Sequence, residues 1–177
     1  YAPPDARMLA ALVVSGTPEG ESDDGLARAW SGLAAASGVV TPDAAAEEHA
    51  ALFIGMGRPP VMLFGSFYLA GFMNEKPLAE LRTDLGKLGF TRSESVTEPE
   101  DHLAALCEVM RGLILGDLAA TPATLDEQKR FFSRHMQPWV LQCCDATINC
   151  DKANYYVKVA QFARAFFEIE IAAFEMV

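Results

Sequence analysis

Signals for helix starts and ends recur along this sequence, whereas signals for β-strands are nearly absent. Thr41-Pro42 and Thr121-Pro122 each place a hydroxyl that can cap a helix before a proline at the first helical position. Between the apolar runs we find no sustained alternation of period two and no Asn-Gly or Asp-Gly hairpin turn. The sequence therefore predicts an all-α fold, built as a single compact multi-helix domain of residues 1–177.

Apolar spacing and these signals together predict eight or nine helices. Leu81, Leu85 and Leu88 form one apolar stripe, and Gly89 directly after it is a typical C-terminal stop. The last helix should bury one side, which carries Tyr155, Val159, Phe162, Phe166 and Ile169. The predicted helices span residues 5–15, 24–37, 42–56, 63–73, 75–88, 99–117, 122–149 (which Pro138 can break) and 152–175.

Composition and charge narrow the class of protein. Hydrophobic residues make up 51% and charged residues 21% of the 177 residues, which indicates a globular chain. The net charge of −10 is opposite to what a phosphate-binding surface needs, so we expect no nucleic acid as a partner. An acidic surface suits a basic peptide, although acidic charge is also common in soluble proteins. We expect no membrane span, and Met8–Val14 is too short for a secretory signal.

The segment Glu98-Pro99-Glu100-Asp101-His102 places three carboxylates, a proline and a histidine directly before an apolar stretch. Pro99 is predicted to lie in the first turn of the helix, where its missing N–H costs nothing. Carboxylates in that turn would face the positive end of the helix dipole. Helix capping therefore explains the acidic residues of this segment, but it does not explain His102.

Metal binding and catalysis are weaker interpretations of the same residues. The helical Glu-x-x-His spacing of di-iron proteins is absent from the sequence. Asp101, His102 and Cys107 could form an orienter, base and thiol, but His102 and Cys107 lie about 140° apart around a helix axis. The cysteines form no C-x-x-C pair and are expected to be buried thiols: Cys107, Cys143, Cys144 and Cys150. We predict no catalytic residue, no metal and no cofactor.

The segment from Glu98 to His102 also matches the E-P-x-D-H motif of the TorD/DmsD/NarJ family, the system-specific chaperones of molybdoenzymes. Further stretches resemble that family in order and spacing, over roughly residues 45–170. These stretches are Leu52-Phe53-Ile54-Gly55, Pro60 followed by Leu63-Phe64-Gly65-Ser66-Phe67-Tyr68-Leu69, the segment from Phe132 to Trp139, and Asn154-Tyr155-Tyr156.

This resemblance implies a cytoplasmic chaperone with the all-helical fold of the family and no enzymatic activity. Such chaperones bind the twin-arginine signal peptide of a partner molybdoenzyme, usually of the dimethyl sulfoxide reductase type. They hold the apoenzyme until the molybdenum cofactor is inserted and so prevent premature export. Members of the family also form homodimers by exchanging segments. The alternatives are a general helical interaction domain without leader specificity and, as a third, a small enzyme.

We therefore predict a binding site for a signal peptide or client that has an acidic part and an apolar part. Guanidinium groups pair well with carboxylates, and the apolar stretch of a leader needs an apolar groove. Two alternatives stay open: the aromatic side chains belong to the core, or Asp101 clamps His102 in a hinge before the helix. The predicted site residues are Glu98, Pro99, Glu100, Asp101, His102, Leu63, Phe64, Ser66, Phe67, Tyr68, His135 and Trp139.

Overall fold

The computed structural model describes residues 2–15, 25–55, 58–73, 75–91, 98–116 and 122–176, and most of these are helical. Within these ranges the only strand-like pairing is an isolated antiparallel bridge between Phe64 and His102. The prediction of an all-α fold is confirmed. The helices are α1 (Ala6–Ser15), α2 (Gly25–Ser37), α3 (Pro42–Phe53), α4 (Gly65–Ala70), α5 (Lys76–Lys87), α6 (Leu103–Leu115), α7 (Leu125–His135), α8 (Val140–Ile148) and α9 (Tyr155–Glu175).

Two helix ends lie where local sequence signals place them. At the start of α3, the Thr41 hydroxyl accepts a hydrogen bond from the Ala44 N–H at 3.2 Å, and Pro42 follows as the first helical residue. After α5, Gly89 has a φ of +79°, a conformation that glycine adopts without steric cost. Both predictions are confirmed. Such helix ends can be predicted from sequence because a cap depends on only a few neighbouring residues.

The predicted start of α6 is wrong, since the helix begins at Leu103 and not at Pro99. His102 has an extended backbone, and its Nδ1 accepts a hydrogen bond from the Ala104 N–H at 3.2 Å. The histidine itself is thus the N-cap, and the residues from Glu98 to Asp101 precede the helix. A ring nitrogen here replaces the usual oxygen acceptor of a capping side chain.

The long helix predicted over residues 122–149 is divided in two at Pro138, where the sequence predicted a possible break. Residues 136–139 form a turn around Pro138 between α7 and α8. The first half starts later than Thr121-Pro122 predicted, because Thr124 is the N-cap and forms a reciprocal capping box with Glu127 in the first helical turn. Thr121 lies outside the described residues.

The chain divides into two compact units. The first unit comprises Tyr1–Met62 and Cys143–Ile169, and the second unit comprises Leu63–Gln142 and Glu170–Val177. The single domain expected over residues 1–177 stays a prediction. In the first unit, the rings of Trp30 and Phe162 pack with centroids 5.0 Å apart. They cover a core to which α1, α2, α3 and α9 contribute the buried side chains of Leu9, Leu33, Ala45 and Tyr155.

The start of α9 is held by a carboxylate from α3. Glu48 accepts hydrogen bonds from the backbone N–H groups of Asn154, Tyr155 and Tyr156, at 2.7 to 2.9 Å. The first N–H groups of a helix lack partners within it and attract negative charge. The Asn154-Tyr155-Tyr156 stretch therefore marks a capped helix start, and the capping group comes from a residue 106 positions earlier in the chain.

The predicted buried face of α9 is partly wrong. Tyr155 is buried, but Phe166 and Ile169 are 41% and 43% exposed. The helix instead buries Ala160, Phe167 and Phe174, which lie seven residues apart. Two helical turns take about 7.2 residues, so such positions share one line along the helix, whereas adjacent residues point about 100° apart.

The core of the second unit comes mainly from α5, α6 and α7. Trp139, in the turn before α8, has no exposed surface. The rings of Phe132 and Phe174 pack with centroids 5.2 Å apart. The buried apolar side chains of the three helices are Leu78, Leu81, Leu85, Leu106, Met110, Leu113, Phe131 and Phe132.

The cysteines differ from one another in burial. Cys143 and Cys144 are buried and Cys150 is half-buried, as small apolar thiols would be. Cys107 is exposed, so the prediction of burial is wrong for this residue. Among the described residues, no helix has the length and apolar character needed to cross a membrane.

Candidate functional site

Two sequence segments that lie 35 residues apart meet in the second unit. We call Glu98–His102 the acidic segment and residues 63–68 the α4 segment. The Leu103 N–H donates to the Leu63 carbonyl at 2.8 Å, and the Gly65 N–H donates to the Asp101 carbonyl at 3.0 Å. These bonds surround the bridge between Phe64 and His102. The acidic and apolar halves of the predicted site are therefore neighbours.

The Asp101 side chain strengthens this junction. It is 4% exposed, and its Oδ2 accepts a hydrogen bond from the Ser66 N–H at 2.7 Å. The other oxygen, Oδ1, and the Ser66 hydroxyl are both buried without a hydrogen-bond partner among the described residues. The carboxylate thus holds the first turn of α4, and the clamp suggested between Asp101 and His102 stays a prediction.

The ring of His102 contacts both α6 and the α4 segment. Nδ1 caps α6, and the ring packs edge-on against Phe64 with centroids 5.1 Å apart. The residue is 8% exposed. His102 therefore helps to join the acidic segment to the α4 segment, and its buried ring offers little surface to a ligand.

The remaining acidic residues lie closer to solvent. Glu98 is exposed, while Pro99 is half-buried. The Glu100 side chain is 16% exposed, and its Oε2 accepts hydrogen bonds from Arg82 Nε at 3.0 Å and Nη2 at 2.9 Å. This bond raises the pKa of Arg82 above its ordinary value. Arg82, on α5, was not predicted, since nothing in the sequence links it to the motif.

The apolar side chains of the α4 segment are each half-buried: Leu63, Phe64, Phe67 and Tyr68. The Phe67 and Tyr68 rings meet edge-on with centroids 5.2 Å apart, and Tyr68 stacks on Trp139 at 5.5 Å. Each side chain thus contributes to packing and keeps part of its surface accessible. Farther along, Leu69 is 42% and Phe72 is 72% exposed, and neither was among the predicted site residues.

Trp139 and Ser66 lie beneath this surface. Trp139 has no exposed area, and its Nε1 donates to the His135 carbonyl at 2.7 Å. A Cβ atom built on Gly65 would be 2.9 Å from that same Nε1. Ser66 is 1% exposed. Trp139 therefore supports the α4 segment from below, and Ser66 lies on the buried side of that segment. Direct contact with a ligand, as predicted for both residues, does not fit their burial.

His135 faces a different set of charges. Its Nε2 lies 3.0 Å from Asp84 Oδ2, which also accepts from Arg134 at 2.8 Å. Burial lowers the pKa of His135, although the hydrogen bond to Asp84 acts in the opposite direction. Hydrogen bonds, that from Lys87 first, lower the pKa of Asp84. His135 is therefore buried in an ion-pair network that the sequence pattern did not reveal.

A cavity of about 350 Å³ opens beside this network. Its lining carries charges of both signs together with Phe131 and Leu88. Within the described ranges, no group of three or more His, Cys, Asp and Glu side chains could hold a metal ion. The polar and charged residues of the lining are Asp84, Lys87, Glu127, Arg130, Arg134 and His135.

Comparison with known proteins extends these observations. The sequence model of the family described as nitrate reductase delta subunit matches residues 19–145. The chaperone protein TorD of Vibrio cholerae serotype O1 is 28% identical over 123 residues, which are 66% of this chain and 56% of that protein. The TorD protein of Vibrio parahaemolyticus is 23% identical over 139 residues, 72% of this chain and 62% of that protein. The chain thus spans less than two thirds of the length of these relatives.

A solved structure shows a similar fold. It is described as a redox enzyme maturation protein from Archaeoglobus fulgidus, with 20% sequence identity and a TM-score of 0.55. The match covers 95% of this chain and 97% of that one. The family resemblance deduced from the sequence motifs is confirmed by these matches.

Proposed function

This chain belongs to the nitrate reductase delta subunit family, and on that premise we propose that it is a maturation chaperone for a molybdoenzyme. Its client is the apo-form of an oxidoreductase of the dimethyl sulfoxide reductase type, and it binds the twin-arginine signal peptide of that client. It acts in the cytoplasm, assists insertion of the cofactor and delays export. It does so by binding, without catalysing a reaction itself.

The names of the relatives support the general role. Two proteins similar to this chain are called chaperone protein TorD, and a protein of similar fold is described as a redox enzyme maturation protein. The acidic segment supports the finer assignment, because it supplies carboxylates for the two arginines of a leader.

The observation that carries the proposal is the junction of the acidic segment with the α4 segment. A twin-arginine leader joins a basic part to an apolar helical part, so its receptor needs carboxylates directly beside apolar surface. The Gly65 N–H and the Ser66 N–H both bond to Asp101, which holds the two segments together. The exposed Glu98 and the half-buried ring of Phe67 then lie on these neighbouring segments of one unit.

A binding titration tests the proposal. The ligand is a synthetic leader peptide with two adjacent arginines ahead of an apolar stretch, and the matched peptide carries glutamine in place of both arginines. The proposed chaperone binds the first peptide more tightly than the second. Equal affinity for the two peptides would favour the general interaction domain, and binding of neither would contradict leader recognition.

A further inference from the structure

One arginine of the chain itself already lies on the acidic segment. Two N–H groups of Arg82, at Nε and Nη2, donate to the same Oε2 atom of Glu100, at 3.0 and 2.9 Å. An arginine of a bound peptide would offer Glu100 the same planar group with the same donors. The Glu100 carboxylate is therefore already bound by a guanidinium, the same group that an arginine of the proposed leader would bring.

Arg82 is also placed so that it could be displaced. Its side chain is 50% exposed, whereas that of Glu100 is only 16% exposed. The negative charge of Asp101 acts on Arg82 as well as that of Glu100. The carboxylate is thus the more buried partner, and the guanidinium is the partner that can move into solvent when another cation arrives.

We propose that Arg82 is an internal competitor for the leader: its guanidinium occupies Glu100 in the free protein, and an arginine of the signal peptide replaces it on binding. This inference rests on the proposed function, since it requires that the acidic segment receives an arginine. Arg82 then lowers the affinity of the protein for a basic ligand. The ligand does not need Arg82 in order to bind.

Competition of this kind has a defined signature. It weakens every ligand that uses Glu100 by one common factor and leaves unchanged any ligand that does not use it. An exposed ion pair stabilises weakly, so removal of the competitor should tighten the binding of a twin-arginine peptide by about two- to fivefold. If Arg82 instead orients Glu100 for the ligand, its removal should weaken binding, so the two roles predict opposite signs.

The experiment compares Arg82→Gln with wild type in titrations of the twin-arginine peptide and the glutamine-substituted peptide. Arg111→Gln is the matched control, because Arg111 is 46% exposed and pairs with Glu108 on its own helix. It removes the same charge from α6, nine residues after the acidic segment ends. The double variant Arg82→Gln/Glu100→Gln keeps the net charge of wild type and removes the contested carboxylate. Thermal unfolding confirms that each variant is folded.

We expect tighter binding only for Arg82→Gln with the twin-arginine peptide, and affinity no higher than wild type for the double variant. An equal gain with the glutamine-substituted peptide or with Arg111→Gln would overturn the inference, since either would show a general effect of charge. Binding by wild type that is unchanged or weakened by Arg82→Gln would overturn the inference alone. If neither wild type nor Arg82→Gln binds the twin-arginine peptide, the proposed function is overturned as well.

Discussion

At the scale of single residues, Asp101 links the two halves of the candidate site. It is the buried acceptor for the Ser66 N–H, and a charged acceptor makes a stronger bond than a neutral one. Its second oxygen has no hydrogen-bond partner among the described residues. A buried acceptor in that condition is costly, and the charge of Asp101 also acts on a guanidinium nearby, as it does on Arg82. The same residue thus contributes to folding and, in the proposed function, to recognition.

Substitutions of Asp101 should separate these two contributions. Asp101→Ala leaves the Ser66 N–H without its acceptor, so the free energy of unfolding should fall by about 1–3 kcal/mol. Asp101→Asn retains an oxygen that can accept this bond and should stay within about 1 kcal/mol of wild type. The Asn variant should nevertheless bind the leader more weakly, by about 1–3 kcal/mol, because the charge is gone. Chemical denaturation and peptide titration measure the two effects.

Either half of that prediction can fail independently. Equal unfolding free energies for the Ala and Asn variants would mean that the Ser66 N–H finds another acceptor. Unchanged leader affinity in a folded Asn variant would place the arginine contact away from Asp101.

The buried histidine His135 should make stability depend on pH. Burial holds the pKa of His135 below its usual value of 6.5. The unfolded chain then takes up a proton that the folded chain resists, so stability is lost as pH falls below about 6.5. His135→Gln cannot take up this proton and should lose less stability over that range. The measurement is the free energy of unfolding by denaturant at a series of pH values.

His49 provides the comparison for this test. Burial also lowers the pKa of His49, so it contributes to the pH dependence with the same sign. His135→Gln and His49→Gln should each remove part of the slope, and the double variant should remove more than either. A slope in His135→Gln equal to that of wild type would show that His135 has the same pKa in the folded and unfolded chains.

At the scale of the helices, the position of α4 depends on a close approach to Trp139. A Cβ on Gly65 would be 2.9 Å from Trp139 Nε1 and 3.1 Å from Cε2. The indole cannot shift freely, because it is fully buried and its Nε1 donates to the His135 carbonyl. Glycine at this position therefore allows α4 to lie directly on the ring.

Two glycine-to-alanine substitutions test this packing. Gly65→Ala should lower the free energy of unfolding by about 1–3 kcal/mol, because it overpacks a filled site. Gly86→Ala, at the exposed second-to-last residue of α5, meets nothing within 4 Å and should raise stability by up to about 1 kcal/mol. Thermal or denaturant unfolding of both variants gives the comparison. A neutral Gly65→Ala would show that α4 can move away from Trp139 at little cost.

At the scale of the whole molecule, the net charge of −10 should influence the binding of any basic leader. Exposed charges interact over about 10 Å at 0.1 M salt and about 3 Å at 1 M salt. The affinity for the twin-arginine peptide should therefore fall as the salt concentration rises, and that for the glutamine-substituted peptide should fall less. Titrations at several ionic strengths measure both slopes. Parallel slopes for the two peptides would mean that the arginines carry no electrostatic attraction.

Local features of the sequence were sufficient for the helical fold and for its family. The Thr41-Pro42 start and the Gly89 stop depend on hydrogen bonds and dihedral angles within a few residues. Both are therefore visible in the sequence itself. The motif from Glu98 to His102 identified the family for the same reason, as a continuous stretch of residues. The residues predicted for the site also lie largely together, around α4 and the acidic segment.

Tertiary contacts decided what the sequence could not. The partner of Asp101 lies 35 residues away, and the carboxylate that caps α9 comes from a residue 106 positions before Asn154. Whether an apolar side chain faces the core also depends on the neighbouring helices, so Trp139 is buried while Phe166 is exposed. Periodicity and capping act through neighbours in the chain, whereas burial and long-range hydrogen bonds arise only when distant segments pack together.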